Sequence, residues 1–258
     1  MADPEQAPSV GRRHRNPGAG MSALHYEIAP EIFQRFPGYV RGVVVAHGVT
    51  NGSAPEVLVA MLREAEASMR ERLSLEGLAE HPRIRSWREA YRAFGAKPSE
   101  FRSSIEALAR RALRNEPLPS INALVDIGTI LSLRHLTPVG GHAIDVCTED
   151  IALRLATGKE IFVPFGSDKP EQPLPGEVIF TEGDTVLTRR WTWRQANHTL
   201  TLTETTAIEF NVDGLPPVAA SDVEQACAKI QELVQRFCGG RVRQDLLTQS
   251  HPRMSLAP

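Results

Sequence analysis

Apolar positions recur at helical spacing through the first half of the chain and give way to alternation in much of the second. The β-branched run Tyr39-Val40-Arg41-Gly42-Val43-Val44-Val45-Ala46 predicts a buried strand, closed by the turn residues Thr50-Asn51-Gly52. A helix is predicted from Ser53, with Ser53 and Glu56 as a capping box, Pro55 in the first turn, and Val57, Leu58, Met61, Leu62 and Ala65 on one face. Ile84, Trp87, Tyr91 and Phe94 mark a second helix, opened by Pro82 and ended by Gly95. Phe101, Ile105, Leu108, Ala109 and Ala112 mark a third. Ile121, Leu124, Val125 and Leu131 define a fourth, which gathers Asn122, Asp126 and Thr129 on a different stripe.

After His142 the pattern becomes extended. Glu177-Val178-Ile179-Phe180-Thr181 and Val186-Leu187-Thr188 flank the turn Glu182-Gly183-Asp184 and predict a hairpin. Leu200, Leu202, Ile208, Phe210 and Val212 fall at even positions with threonines between them, as in one strand with a single buried face or two short ones bent near Glu204. A last helix is predicted over 221–238, with Ser221 and Glu224 as a capping box and Gly239-Gly240 as its stop. Helices first and strands second, without strict strand–helix alternation, predict an α+β fold whose sheets pack against several helices. Residues 1–20, rich in Pro, Gly, Ala and Arg, read as a disordered leader, with Met21 as a second start; 21–240 read as one domain and 241–258 as a flexible tail.

A hydrophobic share of 41% with 23% charged residues fits a globular chain that buries a full core. The net charge of -2 leaves no bulk basic field, so any contact with nucleic acid has to come from a local patch. Cys147, Cys227 and Cys238 show no Cys-x-x-Cys spacing, and none of the eight histidines lies four residues from another, so no metal site is expected. The thiol pattern fits a reducing cytoplasm. No apolar run reaches membrane-spanning length, and no membrane association is expected. Walker loops, the Gly-x-Ser-x-Gly elbow, His-Glu-x-x-His and the dinucleotide fingerprint are all missing, so no cofactor is expected.

Two stretches carry candidate chemistry. Gly140-Gly141 precedes His142 and Asp145; a glycine pair lets backbone approach a ligand closely, next to a titratable imidazole and a carboxylate. In Arg189-Arg190-Trp191-Thr192-Trp193-Arg194, strand alternation would put Arg189, Trp191 and Trp193 on one face and Arg190 and Arg194 on the other. Guanidinium groups interleaved with indoles suit the phosphates and bases of a single-stranded RNA end. A plain reading of each also stands: a glycine turn before an edge strand, and a core tryptophan with arginines at its rim.

The order Asn122, Asp126, then Pro138-Val139-Gly140-Gly141-His142-Ala143-Ile144-Asp145, then the arginine–tryptophan run, resembles the B3/4 domain. That domain is the editing module of the phenylalanyl-tRNA synthetase β chain and of freestanding proteins, and the resemblance spans residues 39–217. It implies an aminoacyl-tRNA deacylase that hydrolyses the ester of a mischarged tRNA in trans. Gly140 and Gly141 would supply backbone donors, His142 a catalytic or selective imidazole, and Thr205, in the threonine-rich segment 203–206, a hydroxyl for the attacking water. Freestanding relatives often carry an aromatic residue where His142 stands. Asn122, Asp126, Thr129 and Asp145 would bind the amino acid, Asp126 taking the ammonium or a basic side chain. Arg102 of Arg102-Ser103-Ser104, together with Arg189, Arg190, Trp191 and Arg194, would bind the tRNA. Of the substrates that the resemblance implies, canavanyl-tRNA(Arg), which Asp126 and Asp145 suit, or another non-cognate aminoacyl ester comes first, and Tyr-tRNA(Phe) is the alternative. A non-enzymatic small-molecule or RNA-binding module is the alternative from another class.

Overall fold

The computed structural model describes residues 24–258; the expected leader and Met21 lie outside them. Among the described residues the chain forms six α-helices and two sheets, and the α+β expectation is met. In chain order the elements are β1 (His25–Ile28), α1 (Pro30–Arg35), β2 (Val40–His47), α2 (Glu56–Arg72), α3 (Pro82–Ala93), α4 (Ser104–Leu113) and α5 (Ala123–His135). They continue with β3 (Val139–Ala143), β4 (Ile151–Leu155), β5 (Val178–Glu182), β6 (Thr185–Arg189), β7 (Arg194–Gln195), β8 (Ala207–Gly214), α6 (Ala220–Phe237), β9 (Arg241–Leu247) and β10 (Arg253–Ser255).

The four-stranded sheet runs β3-β8-β2-β9, antiparallel throughout, with β3 at one edge. Its two faces differ in chemistry. Ile208, Phe210 and Val212 of β8 look toward the helices: Phe210 lies against Gly128 of α5, and a methyl group built on Gly42 would stand 2.3 Å from Cys227 Sγ of α6. The opposite face of β8 carries Glu209, Asn211 and Asp213, all buried, and faces the six-stranded sheet β10-β1-β4-β5-β6-β7. A buried polar stripe therefore lies between two sheets.

Arg41 holds the sheets together across that stripe. Its guanidinium, 1% exposed, pairs with Asp213 at 2.7 Å within its own sheet and donates to the Tyr26 hydroxyl on β1 of the other. Tyr39 donates to the same Asp213 oxygen. Burial raises the Tyr26 and Tyr39 hydroxyls well above their usual range, so both stay neutral, Tyr26 accepting from Arg41 and Tyr39 donating to Asp213.

Several local expectations need correction. Residues 241–258 are no flexible tail: β9 pairs with β2 along Arg41–His47, and β10 pairs with β1. The alternation in Val242, Asp245 and Leu246 is too weak to announce a strand, yet an already twisted partner supplies the ladder. Neither expected capping box forms: α2 begins after Pro55 and α6 after Ala219, each without a side-chain cap. Phe101 lies outside α4, which starts at Ser104 with Ser103 as its cap. The even-position pattern of 197–212 yields only one strand, from Ala207; Leu200 and Leu202 sit in the loop before it.

Asp213→Ala leaves the Arg41 cation buried and unpaired, and loss of one partner of such a pair costs about 3–5 kcal/mol. The expected readout is a fall in Tm of roughly 6–20 °C in a thermal scan; an unchanged Tm would mean that Arg41 is not the tie between the sheets.

Candidate functional site

Where the free edge of β3 meets the β6–β7 corner of the other sheet, the chain leaves a cavity of about 550 Å³. Leu124, Val125, Gly128 and Thr129 of α5 wall it on one side, Gly140, Gly141 and His142 on a second, and Thr188 with residues 191–195 on a third. The glycines are needed for space. A methyl group on Gly140 would meet Asn211 Oδ1 at 2.9 Å, and one on Gly141 would crowd Ile208 Cδ1 at 3.2 Å.

His142 is buried and spans both sheets. Its Nδ1 lies 2.7 Å from Thr199 Oγ1, its Nε2 lies 3.1 Å from Thr188 Oγ1, and its ring is edge-on to Phe180 at 5.1 Å between centroids. Burial, with repulsion from Arg41 and His198, lowers its pKa to about 3, so the imidazole is neutral and holds two hydroxyls. Gln195 completes the clamp by donating to the Gly141 carbonyl at 3.1 Å and to the Thr199 carbonyl at 3.2 Å. In an antiparallel ladder the N–H and C=O of one residue point the same way, so the Gly141 N–H also looks out from the free edge.

Behind this wall, Glu209 faces His142 across the strands and accepts from Asn211 Nδ2 at 3.0 Å. Burial, only partly offset by Arg41 and Asn211, raises its pKa to about 8, which makes it a neutral acid at pH 7. Its Oε2 has no hydrogen-bond partner among the described residues. Sequence reasoning missed Arg41, Thr188, Gln195, Thr199 and Glu209. The one available signal was Glu209-x-Asn211-x-Asp213, three polar side chains on one face of an otherwise apolar strand.

The sequence-predicted residues separate into two groups. Gly140, Gly141, His142, Thr129, Trp191 and Arg194 line the cavity. The others do not. Asn122 caps α5, accepting from Val125 N–H at 3.0 Å and donating to the Thr201 carbonyl at 2.9 Å. Both oxygens of Asp126 are engaged, one by Ser120 Oγ and one by the Ile121 N–H at 3.0 Å, so no ammonium subsite forms there. Asp145 lies in the turn after β3 and holds Thr206, whose N–H donates to it at 2.8 Å. Thr205 Oγ1 accepts from the Leu202 N–H at 2.9 Å and closes a loop.

The arginine–tryptophan run is a corner, not a strand, so its predicted two-faced alternation fails. Arg190 and Trp191 adopt left-handed φ of 50° and 64°, a strained pair that turns the chain from β6 to β7. Arg189 is buried between Glu171, at 2.7 Å, and Glu177, at 3.0 Å. Arg190 is buried between the rings of Phe101 and Trp193, 3.7 and 4.5 Å from their centroids, and pairs with Glu177 at 3.2 Å. Trp191 is packed among Phe36, Tyr39 and Trp87. Arg102 sits outside the cavity, 3.9 Å from Glu106. Arg194 alone of the run is exposed at the cavity mouth. Among the described residues no group of three His, Cys, Asp or Glu side chains could hold a metal, and no helix is long and apolar enough to cross a membrane.

A family model of the B3/4 domain matches residues 86–241, which include α5, the β3 wall, the corner and β8. Among solved structures, an N-terminal fragment of the phenylalanyl-tRNA synthetase beta-subunit from Pyrococcus horikoshii is similar at 12% identity and a TM-score of 0.45. The match covers 86% of this chain and 51% of that one, so the chain spans about half the length of the fragment. No curated protein matches.

The two shifted groups set opposite pH limbs. His142, lowered from 6.5 to about 3, contributes stability that is lost as pH falls through that window. Glu209, raised from 4.5 to about 8, contributes stability that is full below 4.5 and lost as pH rises toward 8. Urea midpoints of the wild type should therefore fall between pH 6.5 and 8, and Glu209→Gln should flatten that decline; an equal decline in the variant would show that Glu209 ionises normally.

Proposed function

This chain belongs to the B3/4 domain family, and from that premise we propose that it is an aminoacyl-tRNA deacylase acting in trans on mischarged tRNA in the cytoplasm. The observation that carries the reading is the neutral His142, held between two threonine hydroxyls on the wall of the cavity. An aminoacyl ester is already activated, so hydrolysis needs a positioned water and a donor for the oxyanion rather than a strong base. Thr188 Oγ1, backed by His142 Nε2, is the group that orients the water. The outward N–H of Gly141 is the donor that meets the developing oxyanion, in a site where walls of Leu124, Val125, Phe180 and Phe210 exclude bulk solvent.

The same geometry favours a neutral side chain over the cationic one of canavanine. The aspartates that would have matched a cation are engaged elsewhere, while the charge at the cavity floor is Arg41, itself cationic. Glu209 is protonated at pH 7 and offers a neutral carboxyl behind Asn211. Of the two substrates that the resemblance suggested, tyrosine on phenylalanine tRNA fits this lining better.

A panel of correctly and incorrectly charged tRNAs tests the reading by loss of the ester under catalytic conditions. The expected result is turnover of esters with neutral side chains and little of canavanyl or arginyl esters; no turnover above buffer for any member would refute the enzyme and leave a binding module. Thr188→Val should lower kcat roughly 100-fold, the order of loss that follows from a misplaced reacting group. Arg194→Ala should reduce the log–log salt slope of tRNA binding by about 0.7, the value for one single-strand phosphate contact; an unchanged slope would place the RNA elsewhere.

A further inference from the structure

Of the large hydrophobic side chains left exposed, three border one cavity: Ile121 at 58%, Phe165 at 60% and Leu202 at 38%. Exposed apolar groups scattered singly need no explanation, but three converging on one opening do. Each is also held by a polar bond that fixes its backbone. The Phe165 N–H donates to the Gln195 carbonyl at 3.0 Å, and its own carbonyl accepts from Arg194 Nη2 at 3.1 Å. The Ile121 N–H donates to Asp126, and the Leu202 carbonyl accepts from Asn51 Nδ2 at 2.8 Å. A rim of water-exposed apolar groups on anchored backbone is preorganised for an occupant.

We propose that Ile121, Phe165 and Leu202 form a clamp for the 3′-terminal nucleobase of the RNA, with Arg194 meeting the phosphate on its 5′ side. This rests on the deacylase reading: once the aminoacyl ester enters the cavity, the base on the same ribose has to lie at its mouth. An aromatic face beside a guanidinium is the combination that binds an unpaired nucleotide, since every base has a stacking surface and every linkage an anionic phosphate. The phenyl of Phe165 is the stacking platform and the two aliphatic side chains close on the base edge. Trp191, the stacking candidate from sequence, is buried and unavailable for this role.

The test uses an acceptor-stem RNA hairpin with a single-stranded 3′ end and 2-aminopurine as its last base, titrated into the full chain. Stacking on Phe165 should quench the fluorophore. Phe165→Ala should abolish the quench and weaken binding roughly tenfold, in the range found for loss of one base–aromatic stack, while Phe165→Tyr should retain both. Because Phe165 is mostly exposed, the fold is expected to survive either change, as circular dichroism would verify. Hydrolysis of charged tRNA should show a raised KM in Phe165→Ala with kcat little changed. If the hairpin binds the alanine variant with undiminished quench, or KM is unaltered while turnover persists, the clamp is refuted and the deacylase reading stands. If the wild type neither binds the hairpin nor hydrolyses any charged tRNA, both fall, and a protein segment becomes the occupant to seek.

Discussion

The buried ion pair of Arg41 with Asp213 is the constraint on which the rest of the structure depends. A guanidinium placed between two sheets is tolerable only when its donors are used, and here they reach Asp213 on one sheet and Tyr26 on the other. That requirement sets the spacing of the sheets along β2 and β8. It also places a fixed positive charge beneath the cavity. Arg41 disfavours a proton on His142 and partly stabilises the Glu209 carboxylate, although burial outweighs the latter effect. A neutral imidazole opposite a neutral acid is the outcome, in a chain where several other buried carboxylates, Glu66 and Glu106 among them, are paired with arginines.

Space at the site comes from what β3 lacks. As an edge strand it satisfies β8 with one set of backbone groups and leaves the alternate set facing outward, and its two glycines let Asn211 on one face and Ile208 on the other close up against it. Gln195 and Thr199 then take some of the outward groups, Gly141 C=O and Ala143 N–H among them, so the edge is partly covered rather than open to pairing with another chain. The imidazole that follows the glycines is fixed at both nitrogens by hydroxyls from separate segments, which converts a mobile side chain into part of the wall.

Several polar residues that the sequence offers as ligands bond to loop backbone instead. Asn122 and Asp126 shape the entry to α5, Thr205 and Asn51 shape the 202–205 loop, and Asp145 joins the turn after β3 to Thr206. Arg189 and Arg190 secure the strained corner through Glu177 rather than facing a phosphate. Satisfied carboxylates and guanidinium groups position backbone, and the surfaces so positioned are apolar. A functional stripe and a structural stripe have the same composition in sequence, because both require buried polar groups with partners.

What the sequence by itself determined was local and periodic. The strand at residues 40–47, the helix ended near Gly95, the 178–189 hairpin, the helix of Asn122 and the last helix all follow from apolar spacing, and the glycine pair before His142 pointed to a pocket wall. Those features depend on neighbours within a few positions. The tertiary structure decided everything that depends on a distant partner: that residues 241–247 complete a sheet, that Arg190 is stacked and Arg194 exposed, that Asp126 is consumed by Ser120 and Ile121, and that Thr188 and Thr199 reach His142. Phe180, Glu209 and Arg41 meet around the imidazole from three strands on two sheets. Periodicity shows which face of an element is buried, whereas the identity of what that face meets is fixed only when separate elements pack, and here the packing turns an ordinary histidine into a neutral hydrogen-bonding wall.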